Sequence, residues 1–405
     1  MLTIVDYLFP YGYSFFLFAF PATLAYNFLS HFVSNYTIST SSLNPILVPA
    51  SPLGITIVPG LLFDLLVKIP LIISDTLVAL VIYRLVIKAF SDHNTAIFAS
   101  MLWFLNPFVI WVSSGWGMFD TFPALFTLLA VYFAIQNKYW QSGLGLVVAF
   151  AMKYYAIVLV PILLIFIWKK GHAKALSRTL VAMIATGVGL FGFTLSEIST
   201  NMTPLITRSY PTIGLTYSGL SIWTAFTFFI NNFNPVLFSV SILVILFIIL
   251  YIRNWMRGAT DVLFLVVSFT IAISFLLLFY SNVAENYFVW VLPLISILTA
   301  VRIVNKKQYW AITAIPFLSS ITNALLPFYM LPVSPWLGDY LVKSLEIASP
   351  YRIARTGQIA STLSPGKIFL PMLSILMFII VALIIHSCVN YRSKLGRLAE
   401  NKWSE

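Results

Sequence analysis

Two ionisable residues stand where the surrounding sequence is almost wholly apolar. Asp120 ends the run NPFVIWVSSGWGMFD (106–120), and Lys153 opens KYYAIVLVP (153–161). A charged side chain at membrane depth costs at least ~2.5 kcal/mol, so such a group marks a functional site by default. A carboxylate can take a proton from an attacking hydroxyl, and an ammonium can pair with phosphate oxygens. An acid and a base at the mouths of neighbouring apolar segments point to an enzyme that works on a charged headgroup at the membrane face. Each also has a plainer role. Asp120 follows the flexible GWGM turn and precedes TFPALF, where it can simply cap a helix N-terminus. Lys153 can be a snorkelling lysine beside the interface tyrosines Tyr154 and Tyr155.

Further candidates lie later in the chain. Glu285, Asn286, Tyr287 and Trp290 can bind sugar hydroxyls or a phosphate-held metal; alternatively they form a solvated turn with an aromatic belt. Arg208, Arg352 and Arg355 can grip a phosphate bidentately, or face lipid headgroups with no chemistry at all. Asp64 and Lys68 are four residues apart and read as a pair on one helical turn. Asp75, inside an apolar segment, reads as a buried structural hydrogen-bond partner. The remaining acids expected on the same side as Asp120 are Asp64, Glu197, Asp339 and Glu346.

The elements that must position these groups are membrane helices. Of the 405 residues, 60% are hydrophobic and 9% charged, with a mean hydropathy of +0.96. A soluble domain is roughly 45–50% apolar and about 25% charged. Composition therefore indicates an all-α polytopic membrane protein, forming one integral domain over 1–405. Apolar segments fall at about 12–32, 70–90, 95–113, 119–136, 142–155, 156–168, 179–197, 235–252, 261–280, 287–304, 309–327 and 368–388, which makes about 12 transmembrane helices. Two of them, 142–155 and 156–168, are short for a crossing of ~20 residues. The start of the chain lacks a basic segment and a cleavage site of the secretory type, so the first apolar run is expected to remain.

The net charge of +11 does not indicate nucleic acid, because the basic residues fall between apolar segments rather than in one patch. With both termini cytoplasmic, sixteen of the 23 Lys and Arg lie on the inner side, as the positive-inside rule requires. That orientation puts Asp120 and Lys153 together on the outer side. The outer stretches are 33–69, with Pro49, Pro52 and Pro59 breaking an interfacial helix, 198–234, and the basic loop 328–367. Residues 389–405 form a basic cytoplasmic tail. Asn35-Tyr36-Thr37 and Asn201-Met202-Thr203 are outer-side triplets of the glycosylation type. One cysteine, Cys388, excludes an intrachain disulfide and a Cys-based metal site. His31, His93, His172 and His386 lack ligand spacing. No cofactor is expected, although a divalent cation shared with a substrate phosphate stays open.

The order of several motifs carries a resemblance. Pro52, Leu53, Pro59, Lys68, Asp75, Tyr83 and Arg84 match the "TPL…P…K…D…YRLL" pattern of GT-C-type glycosyltransferases that use polyprenyl-phosphate sugars. The run from Leu105 to Leu164 is similar to their "NP…GQYD…LLAL…AG…FK.YP…P", and NYFVWVLPLI (286–295) to their "QYFLWLLPLL". Within that group the chain most resembles GPI mannosyltransferase I and its archaeal and bacterial relatives. The resemblance spans roughly 50–300. It implies a GT-C-like fold with broken, re-entrant outer segments, and it favours a site role for Lys153. It further implies transfer of a hexose, mannose first, from a polyprenyl-phosphate sugar to a glycan or glycolipid acceptor on the outer or lumenal face. The setting would be the plasma membrane of a prokaryote or the endoplasmic reticulum of a eukaryote, with lipid and partner subunits around it. In that family the catalytic acid lies in the first outer loop. Here residues 31–63 contain no Asp or Glu. Asp120 then becomes the catalytic candidate, and it must meet Lys153 across a wet pocket. A second implication stays beside the first: the GPI transamidase contains a non-transferase subunit of this architecture, so an inert scaffold or lipid-binding subunit fits too. A secondary transporter is a third possibility, less favoured because the sequence lacks two related halves.

Overall fold

The computed structural model of the chain describes residues 24, 25, 28, 61–115, 117–209, 261–279, 283–323 and 366–401. Every element among them is helical. In chain order these are α1 (Leu61–Phe90), α2 (His93–Phe104), α3 (Pro107–Ile110) continued by a π turn (Trp111–Gly115), α4 (Thr121–Ile135), α5 (Tyr139–Met152), a 3-10 turn (Tyr154–Leu159) and α6 (Val160–Ser209). There follow α7 (Asp261–Phe279), a second 3-10 turn (Glu285–Trp290), α8 (Leu292–Ala300), α9 (Lys306–Asn323) and α10 (Gly366–Asn401).

Four stretches are long and apolar enough to cross a membrane: Lys68–Phe90, Tyr155–Leu190, Asp261–Leu278 and Met372–Asn390. The pair His93–Phe104 and Pro107–Gly115, bent by 42°, makes a fifth if counted as one broken span. The chain is thus a multi-pass membrane protein; the described residues hold four or five candidate spans by length and composition, whereas the expected count of about twelve covers the whole chain. The expected segment 235–252, and 12–32 apart from residues 24, 25 and 28, lie outside those residues. Helices α4 and α5 have 15 and 14 residues, too short at 1.5 Å per residue for a hydrocarbon core ~30 Å thick. The expected crossing at 287–304 is instead a 3-10 turn followed by α8, whose first turn contains Pro293, a residue suited to a helix start. The helical backbone of α6 continues to Ser209, into the stretch expected as a loop from 198, and α10 extends to Asn401, into the expected tail.

Local chemistry explains the breaks. Asn106 caps α3, its Oδ1 accepting from the amides of Phe108 (2.9 Å) and Val109 (3.3 Å), while Pro107 fills the first helical position. The same asparagine donates through Nδ2 to the Tyr309 hydroxyl (2.7 Å) and to Thr313 Oγ1 (3.0 Å), and Tyr309 in turn donates to the Leu102 carbonyl. The bend between α2 and α3 is thereby tied to α9. A reciprocal capping box starts α9: Asn305 N donates to Gln308 Oε1 (3.1 Å) and Gln308 N to Asn305 Oδ1 (2.8 Å). Helices α1 and α2 run antiparallel, since Ser100 Oγ reaches the Ala79 carbonyl and Trp103 Nε1 the Asp75 carbonyl.

Small residues bring α4, α5 and α6 together. Ser142 Oγ donates to the Ala130 carbonyl at 2.6 Å. A methyl group at Gly145 would sit 3.3 Å from the Phe126 carbonyl, and one at Gly143 only 2.7 Å from Thr179 Cγ2. Close backbone approach through small side chains is how helices pack where lipid removes the hydrophobic drive. The expected segments 156–168 and 179–197 correspond to the parts of α6 before and after His172, whose backbone is non-helical (φ 56°, ψ −169°). The chain turns back there. Gly171 lies against the Tyr139 ring and Thr179 against Gly143, so contacts advance in the same direction along α5 and along α6 beyond residue 172.

Candidate functional site

Asp120, Lys153 and the turn Glu285–Trp290 meet at one end of the helical bundle. Asp120 precedes α4 with helical backbone angles (φ −61°, ψ −19°), and its side chain makes no capping bond. This corrects the helix-cap role. The carboxylate has turned inward to donors that outcompete the backbone amides of α4. Asn286 Nδ2 donates to Oδ2 at 2.6 Å, and Trp290 Nε1 donates to Oδ1 at 2.7 Å. The Lys153 ammonium lies 3.4 Å from the same Oδ1. The Asp120 side chain has no solvent exposure, and that of Lys153 retains 11%. A carboxylate can be buried at this depth only when its lone pairs are occupied and a cation balances its charge.

Lys153 reaches this position because α5 stops at Met152 and the backbone goes extended at residue 153 (φ −150°, ψ 129°). Its ammonium also lies over the rings of Phe119 (4.7 Å), Tyr287 (5.3 Å) and Trp290 (6.0 Å). Ring faces attract a cation by about 0.5–2 kcal/mol, more when water is excluded. Trp290 is sandwiched between Tyr155 (centroids 4.4 Å apart, 11° between planes) and Tyr287 (4.2 Å, 20°). The Tyr155 hydroxyl is held by Thr127 Oγ1 at 2.8 Å. One acid, one base and a stack of three aromatic rings thus lock α4, the end of α5 and the turn before α8 together.

The structure brings Asp120, Lys153, Tyr155, Asn286 and Tyr287 into this cluster. Glu285 belongs to the same turn and is 6% exposed, and its Oε1 accepts from Ser319 Oγ on α9 at 2.8 Å. The backbone of Tyr154 lies in the 3-10 turn and that of Arg208 in α6; both side chains, with Arg352 and Arg355 entire, lie outside the described residues. So do the side chains of Asp64, Glu197, Asp339 and Glu346. Asp75 is a buried hydrogen-bond partner: Ser113 Oγ donates to its Oδ2 at 2.5 Å. Phe119, Thr127, Ser113 and Ser319 were not singled out from sequence. Each is an ordinary residue whose partner is distant in the chain. The fixed aromatic contact of Trp290 had one signal, the WVLPL run that ends its turn.

Among the described residues no three His, Cys, Asp or Glu gather, and the Asp120 oxygens already face an amide, an indole N–H and an ammonium. What the arrangement can do is hold three distant segments in register and present a narrow, ring-lined edge around Lys153.

The family model for the GPI transamidase subunit PIG-U matches residues 23–206. No curated protein matches the chain. The matched stretch contains Asp75, Asp120 and Lys153, whereas the Glu285–Trp290 turn lies beyond it. The matched family is described as a subunit of the GPI transamidase. The narrower likeness to GPI mannosyltransferase I is not what this comparison finds. Over residues 23–206, this chain is similar to a subunit of a membrane transamidase.

Proposed function

We propose that this protein is a non-catalytic, GT-C-like subunit of a GPI-transamidase-type complex in the endoplasmic reticulum membrane. It would hold partner subunits and a glycolipid substrate rather than transfer a sugar. The observation that carries this reading is the enclosure of Asp120, which has no exposed side-chain surface and three donors on its two oxygens. A general base has to come within hydrogen-bond reach of an acceptor hydroxyl. A carboxylate committed to Asn286, Trp290 and Lys153 suits a structural lock better. Two further facts support the same reading: no carboxylate occurs between His31 and Phe63, where the transferases keep their acid, and the family match is to a transamidase subunit.

Loss of the chain separates the two functions by the glycolipid that accumulates. Without a transamidase subunit, the complete, fully mannosylated GPI lipid builds up while precursor proteins remain unattached. Without a mannosyltransferase, a truncated lipid lacking a mannose builds up. Mass spectrometry of the lipid fraction from cells depleted of the protein is expected to show the complete species. A truncated species would overturn the proposal in favour of sugar transfer.

A further inference from the structure

The end of the molecule opposite Asp120 carries an exposed groove of about 390 Å³, lined by Trp140, Ser177, Arg178, Val181 and Ala182. We infer that this groove seats one anionic phospholipid, its phosphate against Arg178 and an acyl chain along α6. Three features of the groove select such a ligand. Arg178 is exposed and has no carboxylate partner among the described residues, whereas Lys170 nearby is taken by Asp261 at 2.7 Å. A guanidinium offers a phosphate two parallel hydrogen bonds. Lys174 stands one turn before Arg178, just after the break at His172, so the positive end of a helical segment points the same way. Two cations and a helix N-terminus favour a headgroup of net negative charge over one carrying its own ammonium.

The apolar side fits an acyl chain. Val181, Ile184 and Val188 are exposed by 66%, 65% and 61%. They follow Arg178 at steps of three, six and ten residues and form one stripe. Ten residues of helix rise ~15 Å, which is half of a hydrocarbon core ~30 Å thick. The stripe therefore ends near the depth where a chain anchored at Arg178 would end. Beside it, Gly187 and Gly189 have open space where a side chain would stand. Trp140, 51% exposed, closes the headgroup end with an amphipathic ring of the kind enriched at membrane interfaces.

Native mass spectrometry of the full chain, equilibrated with mixed phosphatidylglycerol and phosphatidylcholine, tests the site. The wild type is expected to retain one phosphatidylglycerol in preference. Arg178→Gln should weaken that retention by roughly fivefold or more, the loss of a charge-assisted hydrogen bond. Lys307→Gln, a second exposed cation at the start of α9, should leave it unchanged. Excess inorganic phosphate should not displace the lipid, because the acyl chain contributes to holding it. Equal losses in both variants would mean diffuse attraction and overturn the site, as would displacement by free phosphate or an absence of preference in the wild type. A phosphatidylglycerol with a photoreactive acyl chain gives a second measurement on the unaltered protein. Labelling within 177–188 supports the seat, and labelling confined to other helices overturns it.

Discussion

Two ion pairs in this protein invert the usual ranking by distance. Lys170 and Asp261 are 2.7 Å apart, and each side chain is 43% exposed. Lys153 and Asp120 are 3.4 Å apart, with exposures of 11% and 0%. The shorter pair is the weaker one. Water and salt screen it, and two long side chains lose freedom to form it, which leaves about 0–1 kcal/mol. The longer pair has no water to fall back on. Remove either partner and the other becomes an unbalanced charge in a closed, apolar setting. Burial, more than separation, decides which pair the fold depends on. The exposed pair ties α6 to the N-terminus of α7, where a cation and an acid are each replaceable. The buried pair joins the residue before α4 to the residue after α5, and hydrogen bonds from Asn286 and Trp290 tie in the turn before α8.

Breaking the buried pair should have the largest effect. Asp120→Ala strands the Lys153 ammonium, the Asn286 amide and the Trp290 indole N–H at once. Loss of one partner of a buried pair typically costs about 3–5 kcal/mol. The variant is expected to show a large drop in the apparent unfolding midpoint in detergent and poor accumulation in the membrane. Lys153→Met alone should also destabilise. The double variant Asp120→Leu/Lys153→Met should lose clearly less than the sum of the single changes, because no charge remains uncompensated. Additive losses would show that the two side chains do not act as a pair. If Asp120→Asn instead left the protein fully stable and abolished a sugar-transfer activity, the comparison between a lock and a surface contact would fail.

The same contrast explains what the sequence could tell. The apolar runs that became α1, α7 and α10 were legible from hydropathy alone, and the structural role of Asp75 followed from its place inside one of them. The meeting of Asp120 with Lys153 agrees with counting two segments between them, which returns the chain to the same end. Their enclosure did not follow. The donors that replace water around Asp120 lie 166 and 170 positions away, and nothing in a single chain announces a pairing of that range. The local rule for Asp before a helix pointed to a cap. It lost because an inward carboxylate gains an amide, an indole and an ammonium, whereas a cap gains one or two backbone amides. The resemblance to the transferases covers the motif positions but not a first-loop acid, and motif positions alone do not decide whether a site is catalytic.

The exposed pair should yield a modest effect with a distinctive salt response. Lys170→Gln is expected to lower the unfolding midpoint slightly in low salt. The difference from wild type should vanish as ionic strength rises and the Debye length falls to about 3 Å at 1 M. A loss that persists in high salt would place this pair with Asp120 and Lys153 instead of opposite them.

The smallest expected effect lies at Asp92, which is fully exposed between α1 and α2 and caps α2. Its carboxyl accepts from the Thr95 hydroxyl and, through Oδ1, from the Asn94 amide at 3.0 Å. The Thr95 bond, foremost, holds its pKa below the ordinary carboxylate value. A carboxyl with a depressed folded-state pKa stabilises the protein at pH values above its unfolded pKa and loses that contribution as pH falls through the folded value. Asp92→Asn keeps the capping oxygen and removes the titration. Wild type should therefore be slightly more stable than Asp92→Asn near neutral pH, and the two midpoints should converge as the pH falls through that lowered pKa. A constant gap across that range would mean that shape alone sets the cap. It would also mean that charge matters here only where water is excluded, which would widen the difference between the exposed and buried ends of the molecule.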